Sequence, residues 1–327
     1  MVLTLLLVVI ATALLFEYIN GFHDSANAIA TVVSTKVLSA RTAVIYAGAL
    51  NMVGAFLGTH VASTIGKGIV STDIVTQGVI LAALLAAVIW NLITWYLGIP
   101  SSSSHALIGG LMGAAIAKAG FEVVLIEGVT KKVLLPMVTS PILGFAMGFI
   151  TMIALLWLCF RSRPHVVNVY FRKLQLVSSG IMALSHGSND AQKTMGIITL
   201  ALFSYGAIPT FEVPAWVILG CAVTMGMGTM AGGWRIIRTM GNKMIKLKPI
   251  HGFAAETSAA TVILTASHFG IPVSTTHIIS TAIMGVGSTQ GHKALNLSIV
   301  KNIVIAWVLT IPVCMLIAAI LSFILPF

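Results

Sequence analysis

The sequence predicts an all-α polytopic membrane protein, made of two inverted repeats with broken helices and two re-entrant helical hairpins. Hydrophobic residues make up 58% of the 327 residues and charged residues only 8%, whereas soluble domains carry roughly 25% charged residues. Two polar motifs each occur twice, in the same order along the chain. The apolar stretches between them approach the length that a helix needs to cross a bilayer, and they predict about twelve membrane helical segments.

The first repeat is predicted over residues 1–160. A polar stretch interrupts its first crossing, whereas its second crossing is continuous. The next two apolar segments are separated only by Gly98-Ile99-Pro100-Ser101-Ser102, and so short a break with Gly and Pro predicts a hairpin with a buried tip. The predicted segments are 2–19 with 26–37, 42–65, 74–97 with 103–119, and 133–160.

A short cytoplasmic connector, 161–173, leads to the second repeat, 174–327, which has the same order of elements. If each broken helix crosses once and each hairpin returns to its own side, one repeat crosses three times. An odd number of crossings makes the two repeats inverted relative to each other. The predicted segments are 174–183 with 194–203, 214–237, 252–268 with 275–286, and 299–325.

The basic residues predict an orientation in the plasma (inner) membrane. Lys and Arg concentrate in connectors, and basic connectors stay on the cytoplasmic side. This placement explains the net charge of +10 without a nucleic-acid partner. Both termini are then extracytoplasmic, and Lys67, Lys131 and Lys132 are exceptions on the outer side. The inner segments are 36–41, 161–173, 235–248 and the loop that carries Lys293.

The first polar motif, residues 20–27, recurs as the second polar motif, residues 185–193, with Asp24 matching Asp190. A carboxylate at membrane depth is costly unless it faces a partner, a cavity or an ion. We therefore expect the two motifs to meet at one site that binds a coupling ion, either Na+ between Asp24 and Asp190 or a proton. The alternative is that both residues cap half-helices. The candidate coupling residues are Asp24, Asp190, Asn20, Asn27, His23, Asn189 and Glu256.

The two hairpin tips carry matching hydroxyl triplets, each followed by His. Helix N-termini offer unpaired N–H groups and a partial positive charge, which together bind anions. The triplets therefore predict a site for a small tetrahedral oxyanion, with helix capping as the alternative. Lys193 can neutralise that oxyanion or take the place of a cation. The candidate anion ligands are Ser102, Ser103, Ser104, Ser274, Thr275, Thr276 and Lys193.

Two differences between the motifs favour a proton over sodium as the coupling ion. Lys193 stands where the first polar motif has Asn27, and its ammonium can replace a bound cation. His23 stands where the second polar motif has Asn189, and histidine titrates near neutral pH.

These motifs resemble the PiT family of inorganic phosphate transporters, and the similarity covers essentially the whole chain. The family's duplicated Gly-x-x-Asp box matches Gly21 to Asp24 and Gly187 to Asp190, and its hydroxyl tips match 98–105 and 270–277. The resemblance implies symport of phosphate with a cation, and homodimers. Because His23 and Lys193 depart from the sodium-coupled pattern, the chain is more similar to the low-affinity bacterial type, which is proton-coupled and carries phosphate complexed with a divalent metal.

The sequence thus predicts a secondary active importer of inorganic phosphate, which works by alternating access at a midplane site. Proton symport is the first interpretation, Na+ symport the second, and a sulfate permease of the same family the third. We expect no enzyme activity and no cofactor beyond the coupling ion. A divalent metal transported together with phosphate is left open. An intramembrane hydrolase is disfavoured because the polar residues come in two matching sets, whereas a catalytic triad needs one of each.

Overall fold

A computed structural model describes residues 2–291 and 294–325, so Lys293, which supported the predicted orientation, lies outside the described residues. The described chain is helical, with one isolated β-bridge between Val70 and Val124. The helices of the first half are α1 (Val2–Ser34), α2 (Ala40–Gly54), α3 (His60–Lys67), α4 (Gln77–Leu97), α5 (Ser103–Ala119), α6 (Ile126–Val129) and α7 (Leu135–Leu158). Those of the second half are α8 (Pro164–Tyr205), α9 (Ala215–Ala231), α10 (Trp234–Arg238), α11 (Pro249–His268), α12 (Thr275–Ser288) and α13 (Leu297–Ile324).

Both polar motifs lie inside continuous helices, so the predicted break at each motif is wrong. The first polar motif is in the middle of α1 and the second in the middle of α8. Neither motif contains Pro, and neither Gly21 nor Gly187 has a positive φ. These glycines instead allow helices to approach each other closely. A Cβ on Gly21 would lie 2.7 Å from the Met225 carbonyl oxygen of α9, and one on Gly187 would lie 2.1 Å from that of Asn51 on α2.

The helix breaks fall one element later in each half. The predicted crossing 42–65 is divided between α2 and α3, and the predicted crossing 214–237 is divided between α9 and α10. Gly232 has a φ of 77°, a left-handed conformation that glycine adopts at little cost, and the axis bends by 58° there. The polar stretches therefore lie within continuous helices, and the real breaks were missed.

The two helical hairpins lie where the sequence predicts them. α4 and α5 are joined through 98–102, and α11 and α12 through 269–274. Gly98 and Gly270 have φ of 68° and 65°, so each can end the first arm in a left-handed conformation. Contacts between the halves come in matching pairs. α5 packs along α13 and α12 along α7, while α1 packs on α9 and α8 on α2.

Four of the described helices are long and apolar enough to cross a bilayer, or five spans if the bent pair of α9 and α10 counts as one. They are Leu3–Ser34, Gln77–Leu97, Ile126–Leu158 and Leu297–Ile324. Hydrophobic side chains on α7 and α13 remain exposed, such as Ile142 and Val308. An exposed apolar helix surface of this kind belongs in lipid, so the chain is a membrane protein.

Candidate functional site

The two polar motifs meet in the interior, where α1 crosses α8. One carboxylate oxygen each from Asp24 and Asp190 and one imidazole nitrogen of His186 all lie within 4.8 Å of one another. All three side chains are buried. Two carboxylates this close repel each other unless a proton or a cation lies between or beside them. The negative charges of the two motifs must therefore be balanced at one shared place.

Asp190 is neutralised by groups of the protein itself. The Lys193 ammonium, one helical turn away, contacts Asp190 Oδ1, and His186 Nε2 lies 3.1 Å from Oδ2. The Thr275 hydroxyl donates a hydrogen bond of 3.0 Å to Oδ2. Lys193 also donates to Ser104 Oγ at 2.5 Å and to the Val273 carbonyl oxygen at 2.9 Å. One ammonium thus links α8 to the tips of both hairpins.

Asp24 has a different set of neighbours. His23 Nδ1 lies 2.5 Å from Asp24 Oδ1, and His23 Nε2 lies 3.0 Å from Thr94 Oγ1. The Ser101 hydroxyl donates to Thr94 Oγ1 at 2.8 Å and so extends this chain to the first hairpin tip. Within 2–291 and 294–325, the ion pairs include no Lys or Arg on Asp24. The side chain paired with Asp24 is therefore an imidazole and not a lysine or arginine.

The hydroxyl triplets divide into caps and site groups. Ser102 and Ser274 are N-caps, because their Oγ atoms accept hydrogen bonds from the backbone N–H groups of His105 and His277, each at 3.2 Å. The capping alternative thus describes the first hydroxyl of each triplet.

Three of the four other hydroxyls contact the two polar motifs, and they come from both hairpins. Ser104 contacts Lys193, and Thr275 contacts Asp190. Asn27 Nδ2 donates to Thr276 Oγ1 at 2.9 Å and to Thr275 Oγ1 at 3.3 Å. Ser103 is buried and its hydroxyl has no hydrogen-bond partner within the described part of the chain. A buried hydroxyl without a protein partner is free to bind a ligand.

Three other predicted residues make no hydrogen bond to Asp24 or Asp190 among the described residues. Glu256 on α11 accepts hydrogen bonds from Thr31 at 2.5 Å, from Gln175 at 2.9 Å and from Ser178, so it forms a separate buried cluster between α1 and α8. Asn189 donates to Ser267 of α11 at 2.8 Å. The buried Asn20 side-chain oxygen has no partner in the residues that the structure describes.

Sequence reasoning missed His186, Thr94 and Ser101 as members of the site. His186 lies one turn before Asp190 on α8, and His–carboxylate spacing of this kind signals a contact only on a continuous helix. The break predicted at the second polar motif would not hold these two residues one turn apart. Thr94 lies on the apolar arm α4, where nothing in the sequence marks it as a partner of His23.

A partly polar cavity of about 340 Å³ opens beside the second polar motif. Ser188 and Gln192 of α8 line it together with the break between α2 and α3 and the end of α11. Gln192 Oε1 accepts a hydrogen bond of 2.8 Å from the backbone N–H of Val61, near the start of α3. The side chain of Gln192 therefore ties the broken helix of the first half to the helix that carries Asp190.

A matching hydrogen bond joins the first polar motif to the helix break of the second half. Ser25 Oγ accepts a hydrogen bond of 2.7 Å from the backbone N–H of Gly233, at the break before α10. Beyond this break, the Arg235 guanidinium lies 4.5 Å from the ring centroid of Tyr96 and donates to the Tyr96 carbonyl oxygen at 2.5 Å. Phe22 packs on Trp95 with ring centroids 5.4 Å apart. The first polar motif is thus tied to the break between α9 and α10.

Together these groups can bind an oxyanion beside a proton or cation site. Hydroxyls, an amide, the Lys193 ammonium and the N-termini of α5 and α12 supply donors for the anion. Asp24 and Asp190 supply carboxylates beside those donors. Carboxylate and imidazole groups suit a proton, and carboxylate oxygens also suit hard cations.

Comparison with known proteins gives one family. The profile of the phosphate transporter family matches residues 20–318. A protein of Rhizobium meliloti named "Probable low-affinity inorganic phosphate transporter" is 49% identical over 321 residues, covering 98% of this chain and 96% of that one. A Bacillus subtilis protein of the same name is 47% identical, covering 99% and 98%. A solved structure described as "The sodium-dependent phosphate transporter" superposes with a TM-score of 0.90 at 26% identity, covering 98% of each chain.

Proposed function

Because the chain belongs to the phosphate transporter family, we propose that it imports inorganic phosphate across the plasma (inner) membrane as a secondary active transporter. The observation that carries this proposal is the position of Lys193. Its ammonium joins Asp190 to Ser104 and Val273 at the tips of both hairpins. A cation there can attract phosphate while the neighbouring carboxylate limits how tightly the anion is held.

Phosphate is favoured over sulfate by the acceptors in the site. Protonated phosphate has O–H groups that can donate hydrogen bonds to Asp24 or Asp190, whereas sulfate at neutral pH has none. A site built to accept a substrate O–H rejects an analogue that lacks it, because its buried acceptor is left unpaired. We propose that Ser103, Ser104, Thr275, Thr276 and Lys193 bind the anion. Ser102 and Ser274 shape the site as caps.

We propose a proton as the coupling ion. Lys193 already lies against Asp190, where a bound metal cation would otherwise supply the positive charge. His23 and Asp24 form a pair that can carry a proton into the site. Na+ between Asp24 and Asp190 is the second candidate, and the name of the structural neighbour favours it. A divalent metal carried with phosphate would use the same carboxylates together with His186.

The transport cycle that we propose is alternating access between two inverted repeats. The paired contacts of α5 with α13 and α12 with α7 support the repeats. The hairpins are re-entrant in this proposal, the two termini are extracytoplasmic, and two chains form a homodimer. In this proposal the cavity at Gln192 and the helix break at Gly233 lie on opposite sides of the site. If the helix break on one side opens while the helix break on the other side closes, bound phosphate is exposed to each side of the membrane in turn.

Uptake of labelled phosphate into proteoliposomes, with proton and sodium gradients imposed separately, tests this proposal. We expect accumulation with an inward proton gradient alone, and competition by unlabelled phosphate but not by sulfate. Accumulation that requires only the sodium gradient would reassign the coupling ion. Uptake that equilibrates but never accumulates under either gradient would contradict secondary active transport.

A further inference from the structure

Three lysines that oppose the predicted orientation come together in the structure. Lys67 ends α3, whereas Lys131 and Lys132 lie on the π-helical turn Thr130–Leu134 between α6 and α7. All three line one cavity of about 600 Å³. Glu127 also lines it and pairs with Lys131 at 2.6 Å, so the lysines outnumber the acid there. The phosphate site does not use this cavity.

An apolar groove of about 360 Å³ begins at the same place. Lys131 lines both spaces and therefore marks the point where they adjoin. From there the groove follows α7 past Leu135 and Leu143 and passes between α7 and α11. Leu135 is 57% exposed and Leu143 is 51% exposed, so these side chains meet the bilayer. The groove reaches Val273, in the tip of the second hairpin.

From this arrangement we infer a binding site for one anionic phospholipid. Its headgroup phosphate lies among Lys67, Lys131 and Lys132, and one acyl chain lies in the apolar groove. Basic side chains at the membrane surface attract anionic lipid headgroups, and an acyl chain adds affinity through its buried methylenes. Free phosphate would explain the lysines but leave the groove unused. A lipid uses both ends of the site.

The acyl chain would pack against the hairpin tip that accepts a hydrogen bond from Lys193. Phe269, Ile271 and Val273 line the groove, and the Val273 carbonyl oxygen accepts the hydrogen bond from Lys193. Filling the groove restrains these residues from one side. We expect phosphate uptake to be faster in membranes with anionic lipid, a consequence that rests on the proposed function. Lipid binding itself does not depend on that function.

Native mass spectrometry of the full-length protein in detergent, titrated with phosphatidylglycerol, tests the lysine end. Each lysine should contribute roughly fivefold to lipid affinity. The Lys67→Gln, Lys131→Gln and Lys132→Gln triple variant should therefore bind the lipid far more weakly, and the corresponding triple Arg variant should bind normally. Lys118→Gln, at the end of α5 and outside both cavities, is the matched control. If the triple Gln variant and the Lys118→Gln control retained the same amount of phosphatidylglycerol, the proposed lipid site would be wrong.

A bulky side chain on α7 tests the groove. Leu143→Trp should block the acyl chain and weaken phosphatidylglycerol binding, while Ile142→Trp, on an exposed position of α7 that does not line the groove, should leave binding unchanged. Glycerol phosphate, which has the headgroup charge but no acyl chain, should compete poorly. Equal effects of the two Trp variants, or strong competition by glycerol phosphate or inorganic phosphate, would reduce the site to an anion patch and contradict the inference.

Uptake in liposomes separates this inference from the proposed function. With phosphatidylglycerol present, uptake by the wild type should rise severalfold above uptake in phosphatidylcholine alone. The Gln triple variant should keep the lower rate in both membranes. If the lipid binds but the protein transports no phosphate in either membrane, the proposed function fails and the lipid site stands. If transport is normal and no lipid binds, only the lipid site fails.

Discussion

The two polar motifs place equivalent carboxylates in unequal surroundings. Asp190 is bound by a lysine, a histidine and a threonine, whereas Asp24 is paired with His23 beside it on the same helix. The second half thus has a permanent counter-charge, because the Lys193 ammonium cannot leave. In the first half the corresponding partner is an imidazole. We infer that the anion is held mainly by the second polar motif and that coupling is controlled mainly by the first.

The largest difference between the motifs should appear when each carboxylate is neutralised. Asp190→Asn leaves Lys193 buried without its charge partner, which should lower the free energy of unfolding by about 3–5 kcal/mol and abolish phosphate accumulation. Asp24→Asn should also abolish accumulation, but with a much smaller loss of stability, since it leaves no buried lysine without its charge partner. Thermal unfolding in detergent and labelled-phosphate uptake measure the two effects.

A double variant serves as the control for this comparison. Asp190→Asn combined with Lys193→Met removes both charges and should recover most of the lost stability without recovering transport. Equal stability losses for Asp24→Asn and Asp190→Asn would contradict the difference between the motifs. Normal accumulation by either single variant would contradict the paired site.

Replacing a residue of one motif by its counterpart in the other motif should have smaller effects on transport than neutralising a carboxylate. The effect should differ between the two motifs. Lys193→Asn gives the second polar motif the residue found at Asn27, and it removes a charged donor worth about 1.5–3 kcal/mol. The apparent affinity for phosphate should fall about ten- to a hundredfold. His23→Asn gives the first polar motif the residue found at Asn189. It should leave that affinity nearly unchanged while reducing accumulation driven by a proton gradient.

Uptake kinetics at several pH values, with and without an imposed gradient, distinguish these two variants. The expected pattern is a change in KM for Lys193→Asn and a changed pH profile for His23→Asn. Thr31→Val, which removes a donor to the separate Glu256 cluster, tests whether that cluster also takes part in coupling. If His23→Asn raised KM as strongly as Lys193→Asn, the division of roles between the motifs would be wrong.

The parts of the fold that depend on local chemistry could be predicted from the sequence. The hairpins follow from a short stretch with Gly and Pro between apolar segments, and α5 begins and ends at the predicted residues. The helix breaks could not be predicted, because Gly21 and Gly232 look alike in a sequence. One allows α1 to approach α9, and the other adopts a positive φ. Only the neighbouring helices decide between these two uses of glycine.

The site shows the same limit. Duplication of the first polar motif was enough to predict that Asp24 and Asp190 lie together, since a buried carboxylate needs a partner. Duplication does not reveal which unduplicated residues join them. Thr94 of α4 is hydrogen-bonded to His23, and Glu256 accepts a hydrogen bond from Gln175 instead of joining the paired carboxylates. These contacts depend on how helices distant in sequence cross, which local patterns do not encode.

The smallest expected effect concerns two adjacent serines at the first hairpin tip. Ser102 caps α5, so Ser102→Ala should lower the free energy of unfolding by about 1 kcal/mol and change KM for phosphate little. Ser103 has a buried hydroxyl without a protein partner among the described residues, so Ser103→Ala should keep the stability. It should weaken phosphate binding by about 1 kcal/mol, or roughly fivefold. A rise in KM for Ser102→Ala alone would assign the anion to the cap and contradict the division of the triplet.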